Sequence, residues 1–144
     1  MINKNIKINS DQRVSLIQLG ISDLVDNLNY SGFDGTQLEE EVYQHLIFKT
    51  SKKPNEVSIH FFENSIPPHT DEDYVADRFK NECYIVWLGK LSMSSIIDFE
   101  ESPYFVSEGN NGVMMELGIP ILFNPIKEHG VVANGLNAYL SIWF

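Results

Sequence analysis

Cysteine, positive charge and long apolar runs are all scarce in this 144-residue chain. The single cysteine, Cys83, excludes an intrachain disulfide and a multi-cysteine zinc site. The 20 acidic residues outnumber the 10 basic ones, and the formal charge of −10 disfavours a nucleic-acid substrate because it repels phosphate backbones. No apolar run approaches the ~20 residues of a membrane span, and no basic, apolar leader opens the chain. We therefore expect a cytoplasmic protein without membrane contact.

Several catalytic signatures are also missing. The chain has no P-loop, no G-x-G-x-x-G and no G-x-S-x-G sequence, which weakens nucleotide-binding and serine-hydrolase hypotheses. Cys83 has no histidine at a recognisable spacing, so a buried structural thiol is favoured over a nucleophile. The acidic balance fits a basic protein or a cationic peptide as partner, although acidic charge also serves solubility alone.

Helical periodicity is confined to the first 50 residues. One predicted helix has apolar residues at the i, i+3, i+4, i+7 spacing: Ile21, Leu24, Val25 and Leu28. It ends near Ser31-Gly32, and the capping-box pair Thr36 and Glu39 begins a second helix that runs past Leu46. Residues 51–55 form a turn cluster that separates these helices from the second half of the chain.

That second half favours strands. Short candidates recur between turn clusters, at 57–64, 84–91, 94–99, 112–117, 118–124 and 138–144. Such spacing predicts an all-β core, with the two helices packed outside a barrel-like sandwich. The 43% apolar content and the length suit one domain over 1–144, in which 1–50 is helical support and 57–144 is the β core.

Three residues at the ends of apolar, strand-like segments carry the most specific chemical signal. His69, Asp71 and His129 match the 2-His-1-carboxylate set, which binds one face of a divalent metal and leaves other positions open. Residues i and i+2 of a strand share a face, so His69 and Asp71 would point inward together while a second strand supplies His129. The alternative is two turn-region histidines beside a solvated aspartate, with Thr70-Asp71 acting only as a cap.

The order of these segments resembles a known superfamily. Val57–Asn64 followed by Pro68-His69-Thr70-Asp71 is similar to a strand leading into an H-x-D motif. Gly118–Asn124 with His129-Gly130-Val131 is similar to the late strand and turn that present a distal histidine, and Ala138–Phe144 to the closing strand. Over Val57–Phe144 the chain thus resembles the 2-oxoglutarate and Fe(II)-dependent dioxygenases, whose fold is a double-stranded β-helix, or cupin-like jelly roll. The resemblance implies iron held by His69, Asp71 and His129.

One feature of that superfamily is missing. Its members commonly place an Arg or Lys on the closing strand to hold the far carboxylate of 2-oxoglutarate, whereas Asn137 occupies the equivalent position and no Lys or Arg follows Lys127. Asn137 is a candidate co-substrate residue, since an amide can hydrogen-bond a carboxylate, but it cannot neutralise the charge. A branch resembling asparaginyl hydroxylases and histone demethylases takes this lysine from an earlier strand. Even positions of 84–91 would put Lys90 and Tyr84 on one face, so Lys90 becomes the candidate anchor, with Tyr84 as a second donor. The alternative for Lys90 is a strand end reaching solvent.

Two functions of different classes fit these residues. The first is an Fe(II)- and 2-oxoglutarate-dependent dioxygenase that hydroxylates an unidentified small-molecule, peptide or protein substrate. The second is a cupin-like binding or inhibitory protein that has lost catalysis and acts through its acidic surface. His60, which alternates with Ile59 and Phe61, could line the barrel in either case.

Overall fold

The computed structural model describes residues 7–26, 56–71, 83–91, 96–97, 101–108 and 112–143. Helix α1 spans Ser10–Asp26. It therefore begins well before Ile21, where the apolar pattern first predicted it. Its start is fixed by a reciprocal cap: the Gln12 amide donates to Asn9 Oδ1 at 2.9 Å, and the Asn9 amide donates to Gln12 Oε1 at 3.0 Å. The predicted second helix, from Thr36 past Leu46, lies outside the described residues.

The described strands form two antiparallel sheets. The first sheet contains β1 (Glu56–Glu63), β3 (Cys83–Leu91), β4 (Ile96–Ile97), β7 (Pro120–Phe123) and β9 (Leu136–Trp143). The second contains β2 (Ile66–His69), β5 (Tyr104–Ser107), β6 (Val113–Met114) and β8 (His129–Val132). Their orders are β1-β9-β3-β4, with β7 also paired to β3, and β2-β8-β5-β6. In the described part of the chain, no helix is long and apolar enough to cross a membrane.

Two apolar clusters cover the opposite faces of the first sheet. On the outer face, Ile8 and the α1 residues Leu16 and Ile17 pack against the alternate residues of β3 and β9, among them Val86 and Leu140. On the inner face a second cluster joins the two sheets, with these members: Ile85, Trp87, Phe105, Met115, Ile121, Val131 and Tyr139. Two facing sheets with one helix outside confirm the predicted jelly-roll architecture.

A β-bulge in β3 changes the face on which its last residues lie. Trp87 pairs with Tyr139, but Gly89 pairs with Ala138, so Leu88 is the extra residue. The freed carbonyl of Leu88 accepts a hydrogen bond from Arg13 Nη1 at 3.1 Å. Because a bulge shifts the alternation of side chains by one residue, positions beyond Leu88 change face.

The bulge overturns the prediction that Tyr84 and Lys90 share a face. Tyr84 packs against the helix-side cluster. Lys90 instead pairs with Asn137, which lies on the inner face of β9 together with Tyr139. Simple even-odd alternation could not anticipate this, since it assumes an unbroken register.

The remaining strand predictions are confirmed with changed bounds. The candidates at 94–99 and 112–117 contain β4 and β6, which are two residues long in the described part of the chain. Strand β5 was not predicted, because Tyr104–Ser107 lies between two turn clusters and is too short to show alternation.

Candidate metal centre

His69, Asp71 and His129 converge on one point at the end of the sandwich. Asp71 Oδ2 lies 3.0 Å from His129 Nε2, and Asp71 Oδ1 lies 3.5 Å from His69 Nε2. One ligand atom from each of the three residues falls within 4.8 Å of the others. The two histidines come from paired strands, because His69 is opposite His129 in the β2–β8 register. The structure therefore brings the three predicted residues together.

Both histidines are held in the same way by their own backbone. His69 Nδ1 lies 2.8 Å from the carbonyl oxygen of Pro67, and His129 Nδ1 lies 2.8 Å from that of Lys127. A carbonyl only accepts, so each Nδ1 is the donor in these contacts, and Nε2 of each ring is left facing the centre. Metal-binding histidines are oriented and fixed in their tautomer by such second contacts.

Asp71 does not lie on the strand that the sequence predicted for it. Strand β2 ends at His69, so Asp71 lies just beyond the strand and the i, i+2 argument does not apply to it. Its amide donates to the Pro125 carbonyl at 2.9 Å, which ties it to the loop before β8. That loop also leads to His129. One loop thus sets the separation of the carboxylate and the distal histidine.

The centre has a closed side and an open side. The His129 side chain is 7% exposed, and its ring centroid lies 4.7 Å from that of Phe123 and 6.3 Å from that of Phe105. Asp71 is partly exposed, and the His69 side chain is 42% exposed. The aromatic wall excludes water behind His129, whereas the side next to His69 is open to incoming ligands.

The donor set fits a divalent transition metal. Two imidazole nitrogens and one carboxylate are the facial set associated with non-haem Fe(II). Two Nε2 atoms and a carboxylate directed at one point can each give a lone pair to the same cation. The orientation of the two rings and the close grouping of the three side chains are those expected of a metal-binding site.

His60 is a further polar residue of the inner face. It pairs directly with Tyr139 across β1 and β9. Burial lowers the pKa of His60, while the negative charge of Asp71 opposes this and favours the protonated ring. Its alternation with Ile59 and Phe61 gave a sequence signal that it lines the barrel, but nothing in the sequence linked it to Asp71.

The predicted co-substrate residues are not grouped around the centre. Tyr84 packs on the helix side of the first sheet. Lys90 lies beside the β8–β9 turn, since a Cβ placed on Gly135 would be 3.2 Å from its Nζ. That turn lies at one end of β9. Phe123, against which His129 packs, lies near the other end of β9. The binding roles of Tyr84 and Lys90 remain predictions.

Asn137 is committed to structural hydrogen bonds. Its Oδ1 accepts from Trp87 Nε1 at 3.0 Å. Its Nδ2 donates to the carbonyls of Asn134 and Gly135 at 3.2 and 3.3 Å. A carboxylate would have to displace one of these carbonyls to receive an N–H from Asn137. Its co-substrate role also remains a prediction.

Several solved structures are similar to this chain in fold. A viral collagen prolyl hydroxylase from Paramecium Bursaria Chlorella virus-1, solved as a 2OG complex, is 12% identical with a TM-score of 0.56; the match covers 94% of this chain and 90% of that one. EvdMO1 is 14% identical with a TM-score of 0.50, and the match covers 95% of this chain but 45% of that one. A Pseudomonas putida prolyl-4-hydroxylase is 14% identical over 94% of this chain and 81% of its own, with a TM-score of 0.49.

Sequence comparison adds no assignment. No family model matches this chain, and no curated protein matches it. The likeness therefore lies in the fold: the chain has a jelly-roll fold similar to that of the viral collagen prolyl hydroxylase, as the resemblance of Val57–Phe144 predicted. Together the fold and the His-Asp-His cluster define the class as a jelly-roll protein with a candidate metal centre.

Proposed function

We propose that this protein is an Fe(II)- and 2-oxoglutarate-dependent dioxygenase. The convergence of His69, Asp71 and His129, with both histidines fixed to present Nε2, is the observation that carries the proposal. The likeness in fold to the viral collagen prolyl hydroxylase supports it. The protein would hydroxylate a small-molecule, peptide or protein substrate.

The chain's residues would hold iron on one side and leave the other for ligands. His69, Asp71 and His129 supply the protein ligands, and bound iron supplies the oxidative chemistry with 2-oxoglutarate and dioxygen. Phe105 and Phe123 keep water from the rear of the His129 ring. Substrate would approach past the exposed His69. A cationic small molecule or peptide suits an approach to a protein of formal charge −10.

Uncoupled turnover tests the proposal without a known substrate. Purified protein is incubated with Fe(II), ascorbate, oxygen and 2-oxoglutarate, and succinate is measured. We expect low but measurable succinate that disappears in Asp71→Ala, because loss of the charged ligand lowers iron occupancy. Asp11→Ala, an exposed change in the first turn of α1, is the matched control and should keep the wild-type rate.

Two results would overturn this proposal. Equal succinate formation in wild type and Asp71→Ala would mean adventitious iron chemistry. No succinate from demonstrably iron-loaded protein, repeated with lysate added as a source of substrate, would favour the second candidate, a non-enzymatic cupin-like binding or inhibitory protein. The absence of any Lys or Arg after Lys127 supports that second candidate.

A further inference from the structure

Tyr139 carries a buried hydroxyl on the inner face of β9. The residue is 1% exposed, and its hydroxyl has no hydrogen-bond partner among the described residues. A buried polar group left unpaired costs ~1–3 kcal/mol, so most such groups in folded proteins have partners. Phenylalanine would fill the same space without that cost. The hydroxyl is therefore available to a molecule that enters the barrel.

Neighbouring positions on the same face are also polar. Tyr139 pairs directly with His60, and one inward-facing step along these strands Ser58 pairs with Ser141. Both serines are buried. We call these four residues of β1 and β9 the inner polar patch. The part of this face that β3 contributes is different. Ile85 is apolar, and the only polar group of the Trp87 side chain, its N–H, already donates to Asn137.

The inner polar patch lies on the same side of the sandwich as the metal centre. His60 is paired with Tyr139, so both belong to the face of the first sheet that is turned towards the second. Tyr139 belongs to the cluster between the sheets, where it is joined by Phe105, a ring neighbour of His129. A ligand that meets the metal at His129 and extends between the sheets would thus reach Tyr139 and His60.

We propose that Tyr139 and His60 bind the far carboxylate of the co-substrate, in the role that a Lys or Arg on the closing strand would otherwise have. The inference rests on the proposed function. A hydroxyl O–H and a ring N–H both donate to a carboxylate, and charge-assisted hydrogen bonds of this kind are stronger than neutral ones. Burial raises the pKa of Tyr139, which keeps the phenol protonated as a donor. Lys90, beside the far turn, is left out of this site.

The assignment is tested by measuring the affinity for 2-oxoglutarate. Calorimetry is carried out on anaerobic, Fe(II)-loaded protein. Tyr139→Phe should weaken binding about 10- to 100-fold, since a hydrogen bond to a charged group contributes ~1.5–3 kcal/mol. His60→Leu should also weaken it. Tyr104→Phe, on the exposed outer face of the second sheet, is the matched control and should leave affinity unchanged. Lys90→Ala should leave it unchanged as well.

A second ligand identifies which end of the co-substrate the patch binds. 2-Oxobutanoate keeps the metal-binding oxoacid end and lacks the far carboxylate, so Tyr139→Phe should not weaken its binding. Equal loss for both ligands would place Tyr139 at the metal end and overturn the assignment. Fe(II) affinity, measured alongside, should be the same in wild type and Tyr139→Phe.

The outcomes separate the two proposals. If iron-loaded wild type binds no 2-oxoglutarate, the proposed function fails and this inference with it. If wild type binds it and Tyr139→Phe binds it equally well, only the inference fails. A loss in Lys90→Ala without a loss in Tyr139→Phe would return the anchor to Lys90.

Discussion

His129 and Asp71 meet through one loop. Nε2 of His129 lies 3.0 Å from Oδ2 of Asp71, and the Asp71 amide donates to Pro125, in the loop that leads into His129. Pro125, which holds the Asp71 backbone, is therefore close in sequence to the distal histidine. His69 completes the group from the neighbouring strand, which pairs it with His129. Backbone contacts thus position all three side chains.

Loss of a single ligand should remove metal binding. We expect His129→Ala and Asp71→Ala to weaken Fe(II) affinity by more than about 100-fold, since even indirect contacts to metal ligands change affinity 10- to 100-fold. Anaerobic calorimetric titration measures this, with far-ultraviolet circular dichroism to verify the fold. Asp11→Ala should bind iron as wild type does. Tight binding by both ligand variants would contradict the assignment of the centre.

Gly118 should tolerate alanine less well than Gly112. Both have positive φ, at +73° and +102°. A Cβ on Gly118 would overlap the Ile8 carbonyl oxygen, whereas on Gly112 its nearest neighbour among the described residues is 3.8 Å away. We expect Gly112→Ala to lose ~1–2 kcal/mol from backbone strain alone. Gly118→Ala should lose a further ~1–3 kcal/mol from overpacking.

Urea denaturation of the two glycine variants makes this comparison. Because both share the backbone strain, the difference in their free energies of unfolding isolates the overlap with Ile8. Equal values would mean that the segment before α1 moves aside at no cost.

Asn137 should stabilise the fold through Trp87. Asn137→Ala leaves the buried Trp87 N–H without its acceptor, at a cost of ~1–3 kcal/mol. Urea denaturation followed by tryptophan fluorescence measures the loss. In a Trp87→Phe background the same substitution should cost less, because no N–H remains to be satisfied. A cost that is the same in both backgrounds would assign the effect to the turn carbonyls of Asn134 and Gly135 instead.

His60 should make the metal-free protein less stable in acid. Burial lowers its folded-state pKa below the unfolded value of 6.5. Above pH 6.5 both states are neutral and His60 contributes no pH dependence; as the pH falls below 6.5 the unfolded state takes up the proton first, so stability decreases. His60→Gln should therefore lose less stability than wild type between pH 7 and pH 5. Parallel curves for the two proteins would contradict this.

Most strands of the core could be predicted from the local sequence pattern. Alternating apolar residues predicted β1, β3, β7 and β9, because a half-buried strand must hide every second side chain. β5 escaped prediction because Tyr104–Ser107 is too short to show a period. The capping pair Asn9 and Gln12 marks the true start of α1, but the apolar pattern placed the predicted start at Ile21.

The sequence by itself determined the chemistry of the centre, since two histidines and an aspartate in this order can supply a facial ligand set wherever strands bring them together. It also determined how the rings of His69 and His129 are oriented, because each Nδ1 contacts the carbonyl two residues before it, at Pro67 and at Lys127. The tertiary structure alone decided which side of the sheet each later residue faces. One extra residue at Leu88 separates Tyr84 from Lys90, and the Arg13 side chain that caps its carbonyl comes from a helix distant in sequence. The tertiary structure also decided that the buried Tyr139 hydroxyl has no partner among the residues that the structure describes, because partners of a buried polar group come from everything packed around it.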